Sequence, residues 1–376
     1  MRWTILLTVL ILGHATGALA QSTSADGRVT TTTAALADSA VVAKTGNTVF
    51  FPILGYTPDT SFLVGATVLR FFYLDDTEDA RPSLISPVAV YTARNQVLLF
   101  LGTDLNWGGG RWHAGLLPSY QKFPDDFYGI GRDVTGDPLE SYTPEQFAFE
   151  GLIERETLGE LRLGVNYQVA SHRIIETEPG GIMDSGLVPG TGASVVSAPG
   201  LQMAWDTRDN TWSPRTGRWG QARMSFYREG VGSDFDWTEY TVDLRGYLPA
   251  GDRGSLAAQL LYTSGDGEVP FYRMPRLGGQ DGLRGYSAGR FLDRTMALVR
   301  AEWRSGMVVG RFGAVIFAGY GDVAPAPHKL TTAANLYTVG AGVRFLLSPE
   351  EGVNIRMDYG LGNEDGGFYL SLGEAF

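Results

Sequence analysis

From Thr48 onward, hydrophobic and polar residues alternate with a period of two over long stretches. In Leu161–Ala170, one face holds Leu161, Leu163, Val165, Tyr167 and Val169, and the other Arg162, Gly164, Asn166, Gln168 and Ala170. Gln96–Trp107 sets Val97, Leu99, Leu101, Leu105 and Trp107 against Gln96, Gly102, Asp104 and Asn106. Tyr240, Val242 and Leu244 oppose Glu239, Thr241, Asp243 and Arg245, and Leu201, Met203 and Trp205 oppose Gln202, Ala204 and Asp206. Successive side chains of a strand point to opposite sides, so each segment predicts a strand with one oily and one polar face. Sixteen strands are predicted, at 48–55, 61–74, 83–93, 96–107, 111–121, 145–156, 160–173, 200–207, 217–229, 236–248, 254–264, 293–304, 309–321, 335–347, 352–361 and 367–376. No helix of useful length and no internal repeat emerges from the pattern.

Alternation alone does not say which face is inside. A soluble sandwich buries the oily face, whereas a membrane barrel turns it to lipid around a wet lumen. Three features favour the barrel. The strands run to roughly ten residues or more, the length of a tilted membrane crossing, against about 5–6 in soluble sheets. Trp107, Trp112, Trp205, Trp219 and Trp303 sit near strand ends, where interfacial girdles form. The polar face carries Arg223, Glu239, Asp243, Arg245, Arg300, Glu302, Arg304, Arg356 and Asp358, which a dry core does not tolerate. The longest connections, 122–144, 174–199, 265–292 and 322–334, all follow odd-numbered strands. That is the parity of an outer-membrane barrel with a periplasmic N-terminus, long loops outside and short turns inside. The expected fold is therefore an all-β transmembrane antiparallel β-barrel of sixteen strands spanning 48–376.

The N-terminus fits that location. Arg2, the apolar run Ile5–Leu12 and Ala18-Leu19-Ala20 form the three regions of a secretory signal peptide, 1–20, with cleavage expected after Ala20. The Ser/Thr/Ala-rich stretch 21–47 reads as a periplasmic tail or linker. The chain has no cysteine, which excludes a disulfide framework and a Cys nucleophile. Its net charge of -11 argues against a nucleic-acid partner. Outer-membrane lipid and lipopolysaccharide are the expected surroundings.

The most distinctive stretch is Pro275–Arg304. Its glycine-rich first half holds Leu283-Arg284-Gly285-Tyr286, and its second half becomes an alternating strand. A guanidinium set between glycines predicts a long extracellular loop that folds into the lumen, where a bidentate fork meets carboxylates of the wall. Asp322 and Asp358 are the expected partners. The alternative is a solvated loop arginine in a glycine-rich turn. At the C-terminus, Phe368, Leu370, Leu372 and Phe376 fall on one apolar face, interrupted only by Glu374.

The Leu-Arg-Gly-Tyr loop resembles the Val/Ile-Arg-Gly-Phe/Tyr motif of the BamA/TamA-type outer-membrane assembly barrels, the bacterial surface antigen family. The resemblance extends to the Asp-x-Arg-Asp-Asn…Pro-x-x-Gly run within 205–220, to 127–131 and to 342–352. It covers 200–376 well and 48–199 more loosely. The C-terminal face resembles the insertion signal of outer-membrane barrels. The resemblance implies outer-membrane protein insertion, assembly or translocation, with unfolded outer-membrane proteins as clients, no chemical catalysis and no cofactor. It also implies a weak lateral seam, here between 48–55 and 367–376. Family members carry periplasmic POTRA domains, and 21–47 is too short to hold one. A passive or structural pore that has lost client handling therefore stands as the alternative.

The sequence offers little for chemistry. Gly285-Tyr286-Ser287-Ala288-Gly289 matches the spacing of a nucleophile elbow, but it leads into a strand, and only His328 follows it. The four histidines lack paired spacing, so no metal site is expected.

Overall fold

The computed structural model describes residues 48–76, 81–349, 352–363 and 366–376. The predicted signal peptide and the linker 21–47 lie outside them. Seventeen strands are formed: β1 (Thr48–Thr57), β2 (Ser61–Phe72), β3 (Ser83–Thr92), β4 (Val97–Trp107), β5 (Trp112–Lys122), β6 (Asp125–Phe127), β7 (Glu140–Leu158), β8 (Leu161–Glu176), β9 (Ser194–Asp206), β10 (Gly217–Tyr227), β11 (Trp237–Ala250), β12 (Gly254–Gly267), β13 (Thr295–Val309), β14 (Phe312–Ala324), β15 (Leu336–Ser348), β16 (Val353–Leu361) and β17 (Gly366–Leu372). The three-residue β6 pairs only with the start of β7. The other sixteen form one antiparallel ring that closes from β17 back onto β1. Closure matters in lipid, because an unpaired edge there leaves backbone groups without partners.

The alternation turns outward as predicted. Leu163, Val165 and Tyr167 of β8 are exposed, while the alternate residues Asn166 and Gln168 are buried. Leu201, Met203 and Trp205 of β9 likewise face out, and Gln202 faces in. Of the tryptophans expected in a girdle, Trp205 and Trp303 are exposed. Trp219 is not in the girdle: it points inward and lies 4.2 Å beneath the Arg245 guanidinium.

Some strands outrun their predicted lengths. β7 starts at Glu140 rather than 145 and β9 at Ser194 rather than 200. Pro144 and Pro199 lie just before the predicted starts, and the ladder accommodates both: a register shift at Thr143/Pro144, and a pairing of Pro199 with Tyr167. β17 is shorter than predicted. Gly373, at φ 74°, turns the last residues off the wall.

The interior departs from a uniformly ionic lumen. Along β1–β5 the inward side chains include Ile53, Leu63, Val90, Leu98, Phe100 and Leu117, which pack with Phe123 into an apolar cluster. Val90 and Leu98 are direct cross-strand partners. Gly55 and Gly65, opposite Leu63 and Ile53, leave these side chains room.

Ring closure is uneven. β1 pairs with β2 along its whole length, Thr48 with Arg70 through Thr57 with Ser61. Against β17, β1 is in register only at Tyr56 and Leu370 among the described residues.

Candidate functional site

The segment between β12 and β13 does not project from the barrel. Residues 269–286 are buried throughout. At the long-loop end, Phe271 and Tyr272 pack among Phe127, Tyr142, Tyr227 and Trp237. The Tyr272 ring stacks on His172 at 3.8 Å, and its hydroxyl meets that of Ser194 at 2.8 Å. Arg273 donates to Gln168 Oε1 at 3.0 Å and to the Tyr227 hydroxyl. Arg276 donates to Asp125 Oδ2 at 2.7 Å, which ties the loop to β6. Leu277 and Leu283 then enter a second apolar cluster with Met296, Leu298 and Val323 of the wall.

At the tip, Arg284 is 1% exposed. Its Nη2 donates to Glu302 Oε1 at 2.5 Å and its Nη1 to Asp358 Oδ2. The guanidinium lies over the Phe317 ring, 3.5 Å from its centroid. Gly285 N–H donates to the Tyr369 hydroxyl at 2.9 Å, and the Thr338 hydroxyl donates to the Arg284 carbonyl. The Tyr286 hydroxyl donates to the Tyr337 carbonyl at 3.1 Å and accepts the Asn363 N–H at 2.9 Å.

The wall is shaped to receive this tip. Cross-strand register places Glu302 of β13, Phe317 of β14, Gly340 of β15, Gly360 of β16 and Gly367 of β17 in one row. A Cβ on Gly340 would come 2.2 Å from the Phe317 ring, so glycine there lets that ring lie flat against the wall. A Cβ on Gly360 would come 2.5 Å from the Arg284 carbonyl oxygen. Gly285 is constrained twice: its φ is 116°, and a Cβ would come 2.7 Å from the Gly362 nitrogen.

The fork reaches one of its two expected partners. Asp358 is met; Asp322 is not. Asp322 accepts from Arg132 Nη1 at 2.9 Å and from the Thr331 N–H at 2.8 Å, joining two other extracellular loops. The reason is depth. Asp322 lies five residues along β14 from Phe317, about 16 Å at the rise of a strand. Glu302 takes its place. It had been identified as a polar-face charge, with no partner assigned. Phe317, Thr338, Tyr369 and the glycine row were not anticipated. Their signal was period-two glycine on β15 (Gly340, Gly342) and on β16 with its turn (Gly360, Gly362).

The carboxylates are shared further. Glu302 Oε2 accepts from Arg304 Nη2 at 2.9 Å, and Asp358 Oδ1 from Arg344 Nη1 at 2.6 Å. Arg356 lies 3.5 Å from Asp358 and donates to Ser371 Oγ at 2.9 Å. Phe368 is exposed, Leu370 half-buried and Leu372 buried. Phe376 does not continue their face, because the turn at Gly373 carries it into the lumen. Ser287 lies beside Tyr128, and its neighbour Ala288 donates its N–H to Asp59 Oδ1 at 2.9 Å. The 205–220 run closes the β9–β10 turn: Asn210 Oδ1 accepts the N–H groups of Trp212 and Ser213, and Asp209 Oδ1 those of Arg215 and Thr216.

A ring of sixteen antiparallel strands with an oily exterior, short turns at one end and a long loop pinned in the lumen defines a bacterial outer-membrane β-barrel. Residues 92–376 match the model of the Omp85 superfamily domain, and the chain belongs to that superfamily. No curated protein matches it in sequence. Among solved structures, it is similar to BamA from Haemophilus ducreyi lacking POTRA domains 1–3, with a TM-score of 0.60 at 14% identity over 88% of this chain and 70% of that one. It is also similar to CdiB from Acinetobacter baumannii, with a TM-score of 0.56 at 10% identity over 88% of this chain. For CdiB from Escherichia coli the TM-score is 0.58 at 9% identity, again over 88% of this chain. The chain spans 60% and 63% of the lengths of the two CdiB structures.

Proposed function

We propose that this barrel inserts or translocates outer-membrane polypeptides through a lateral seam between β1 and β17, without chemical catalysis. The observation that carries the proposal is the contrast in pairing. β1 is laddered to β2 along its full length, but to β17 only at Tyr56 and Leu370 among the described residues. An edge so thinly paired has backbone donors and acceptors to offer an incoming strand. The pinned loop braces the strands beside the seam, since Arg284 joins β13 to β16 and Gly285 reaches Tyr369 of β17. Unfolded outer-membrane proteins are the clients in this reading.

The chain contains no cysteine, so a Tyr56→Cys/Leu370→Cys pair forms a single disulfide across the seam. In liposomes, the oxidised lock is expected to abolish insertion of an unfolded outer-membrane protein, and reduction to restore it. Equal activity in both states would overturn the proposal. A passive pore predicts a steady current in planar bilayers. A lumen filled by 269–286 favours small, flickering currents instead.

A further inference from the structure

We propose that the inner wall formed by β13, β15 and β16 is a receptor for a peptide segment with a carboxylate two residues before an aromatic ring. Here Glu374, Ala375 and Phe376 fill it in cis. Beyond the turn at Gly373 the chain leaves the strand ladder and is gripped by side chains. Glu374 Oε2 accepts from Arg344 Nε at 2.7 Å, and Oε1 accepts from Asn354 Nδ2 at 2.8 Å. The Ala375 carbonyl accepts from Arg300 Nη2 at 3.1 Å, and the Phe376 carbonyl from Arg304 Nη2 at 3.0 Å. The Phe376 ring lies under both guanidiniums, 4.7 Å from Arg300 and 5.4 Å from Arg304, over a floor of Tyr247 and Ala257. The contacts thus read a carboxylate, two carbonyls and a ring, which together specify a short acidic–aromatic peptide.

Charge points the same way. Arg284, Arg300, Arg304, Arg344 and Arg356 are all buried around three carboxylates, Glu302 and Asp358 of the wall and Asp281 of the inserted loop, which acts on Arg356. The fourth carboxylate, Glu374, arrives with the peptide. Donors still exceed acceptors: Arg304 Nη1, Arg344 Nη2 and both terminal nitrogens of Arg356 make no hydrogen bond among the described residues. A buried cluster with surplus guanidinium favours an anionic occupant. The occupant is exchangeable because its release breaks side-chain contacts and leaves the strand pairings of β17 intact. While seated, it ties the end of β17, the closing strand, to β13, β15 and β16 on the same side of the seam. Occupancy of this cage does not depend on what passes the seam.

Ala375→Cys introduces a unique thiol into a cysteine-free chain. In the folded full-length barrel, maleimide should modify it slowly. Millimolar Ser-Leu-Gly-Glu-Ala-Phe hexapeptide should raise the rate about tenfold by displacing the segment. The same hexapeptide with Gln for Glu and Ala for Phe should not. Arg344→Gln should raise the rate without peptide, by about tenfold for a lost charge-assisted bond. Fast labelling without peptide, or a rate that the hexapeptide leaves unchanged, would overturn the proposal. As an independent check, a dansylated hexapeptide should bind the Glu374→Gln/Phe376→Ala variant, and the intact chain about tenfold more weakly. Equal binding to both would also overturn it.

Discussion

The interior has two arcs that share one backbone architecture and differ in chemistry. Along β1–β5 an apolar cluster of Ile53, Leu63, Val90, Leu98 and Phe100 packs on itself, beside the buried polar side chains of Asp104, Asn106 and His113. Along β10–β17 the inward side chains include many charges, with Arg223, Glu239, Asp243, Arg245, Arg300, Glu302, Arg304, Arg344, Arg356 and Asp358 all buried. Apolar side chains satisfy each other without direction, so the cluster in the first arc is complete in itself. Charges need partners in fixed geometry, so the second arc is complete only with what is inserted into it. That is where Arg284 docks and where Glu374 is held. In this barrel, stiffness comes from one side and addressable binding from the other.

The largest expected effect lies in the self-contained cluster. Phe100→Ala should destabilise the barrel by about 4 kcal/mol, since it opens a cavity in a packed cluster. It should leave single-channel conductance unchanged, because the inserted loop is anchored elsewhere. Arg284→Ala should reverse that balance. Glu302 keeps Arg304 and Asp358 keeps Arg344, so the stability loss stays near 3 kcal/mol, the low end for a stranded buried charge. Conductance should rise as the loop loses its anchor. Heat-modifiability on gels and planar-bilayer recording measure both variants. Matching conductance phenotypes would erase the distinction between the arcs.

The smallest effect belongs to the rim. Asp59, in the β1–β2 turn, holds the Ala288 N–H, and burial pushes its carboxyl up to about 6, with Asp125 adding to the rise. Between about pH 4 and 6 the unfolded chain has released this proton while the folded one keeps it. The contribution of Asp59 to stability therefore falls as pH rises through that window and is flat above it. Against Asp59→Asn, the wild-type advantage should decline by about 1 kcal/mol over those units at this partly solvated position. A constant difference in Tm from pH 4 to 8 would remove Asp59 as a titrating tether.

How much of this was readable in advance varies by element. Leu161–Ala170 announced its two faces because lipid and lumen impose opposite demands on alternate residues. Gln96–Trp107 announced its outward face, with Leu99 and Leu101 exposed, but not that Leu98 and Phe100 make the inward side apolar too, because period two is silent where both sides are oily. The loop arginine stood out among its glycines. Its choice of Glu302 over Asp322 did not, because that depends on how deep the tip descends. The row of Gly340, Gly360 and Gly367 was invisible as a unit, since three strands supply it.

The sequence by itself determined the strands, their outward faces, the parity of the loops and a guanidinium poised to turn inward. Each of these is a local consequence of side-chain periodicity and turn chemistry. Only the tertiary structure decided which carboxylates Arg284 meets, that side chains of β1–β5 gather into an apolar cluster inside the barrel, and that Phe376 lies among arginines rather than on the lipid face. These depend on the register of strands far apart in the chain, and register brings residues together according to distances that no single segment encodes.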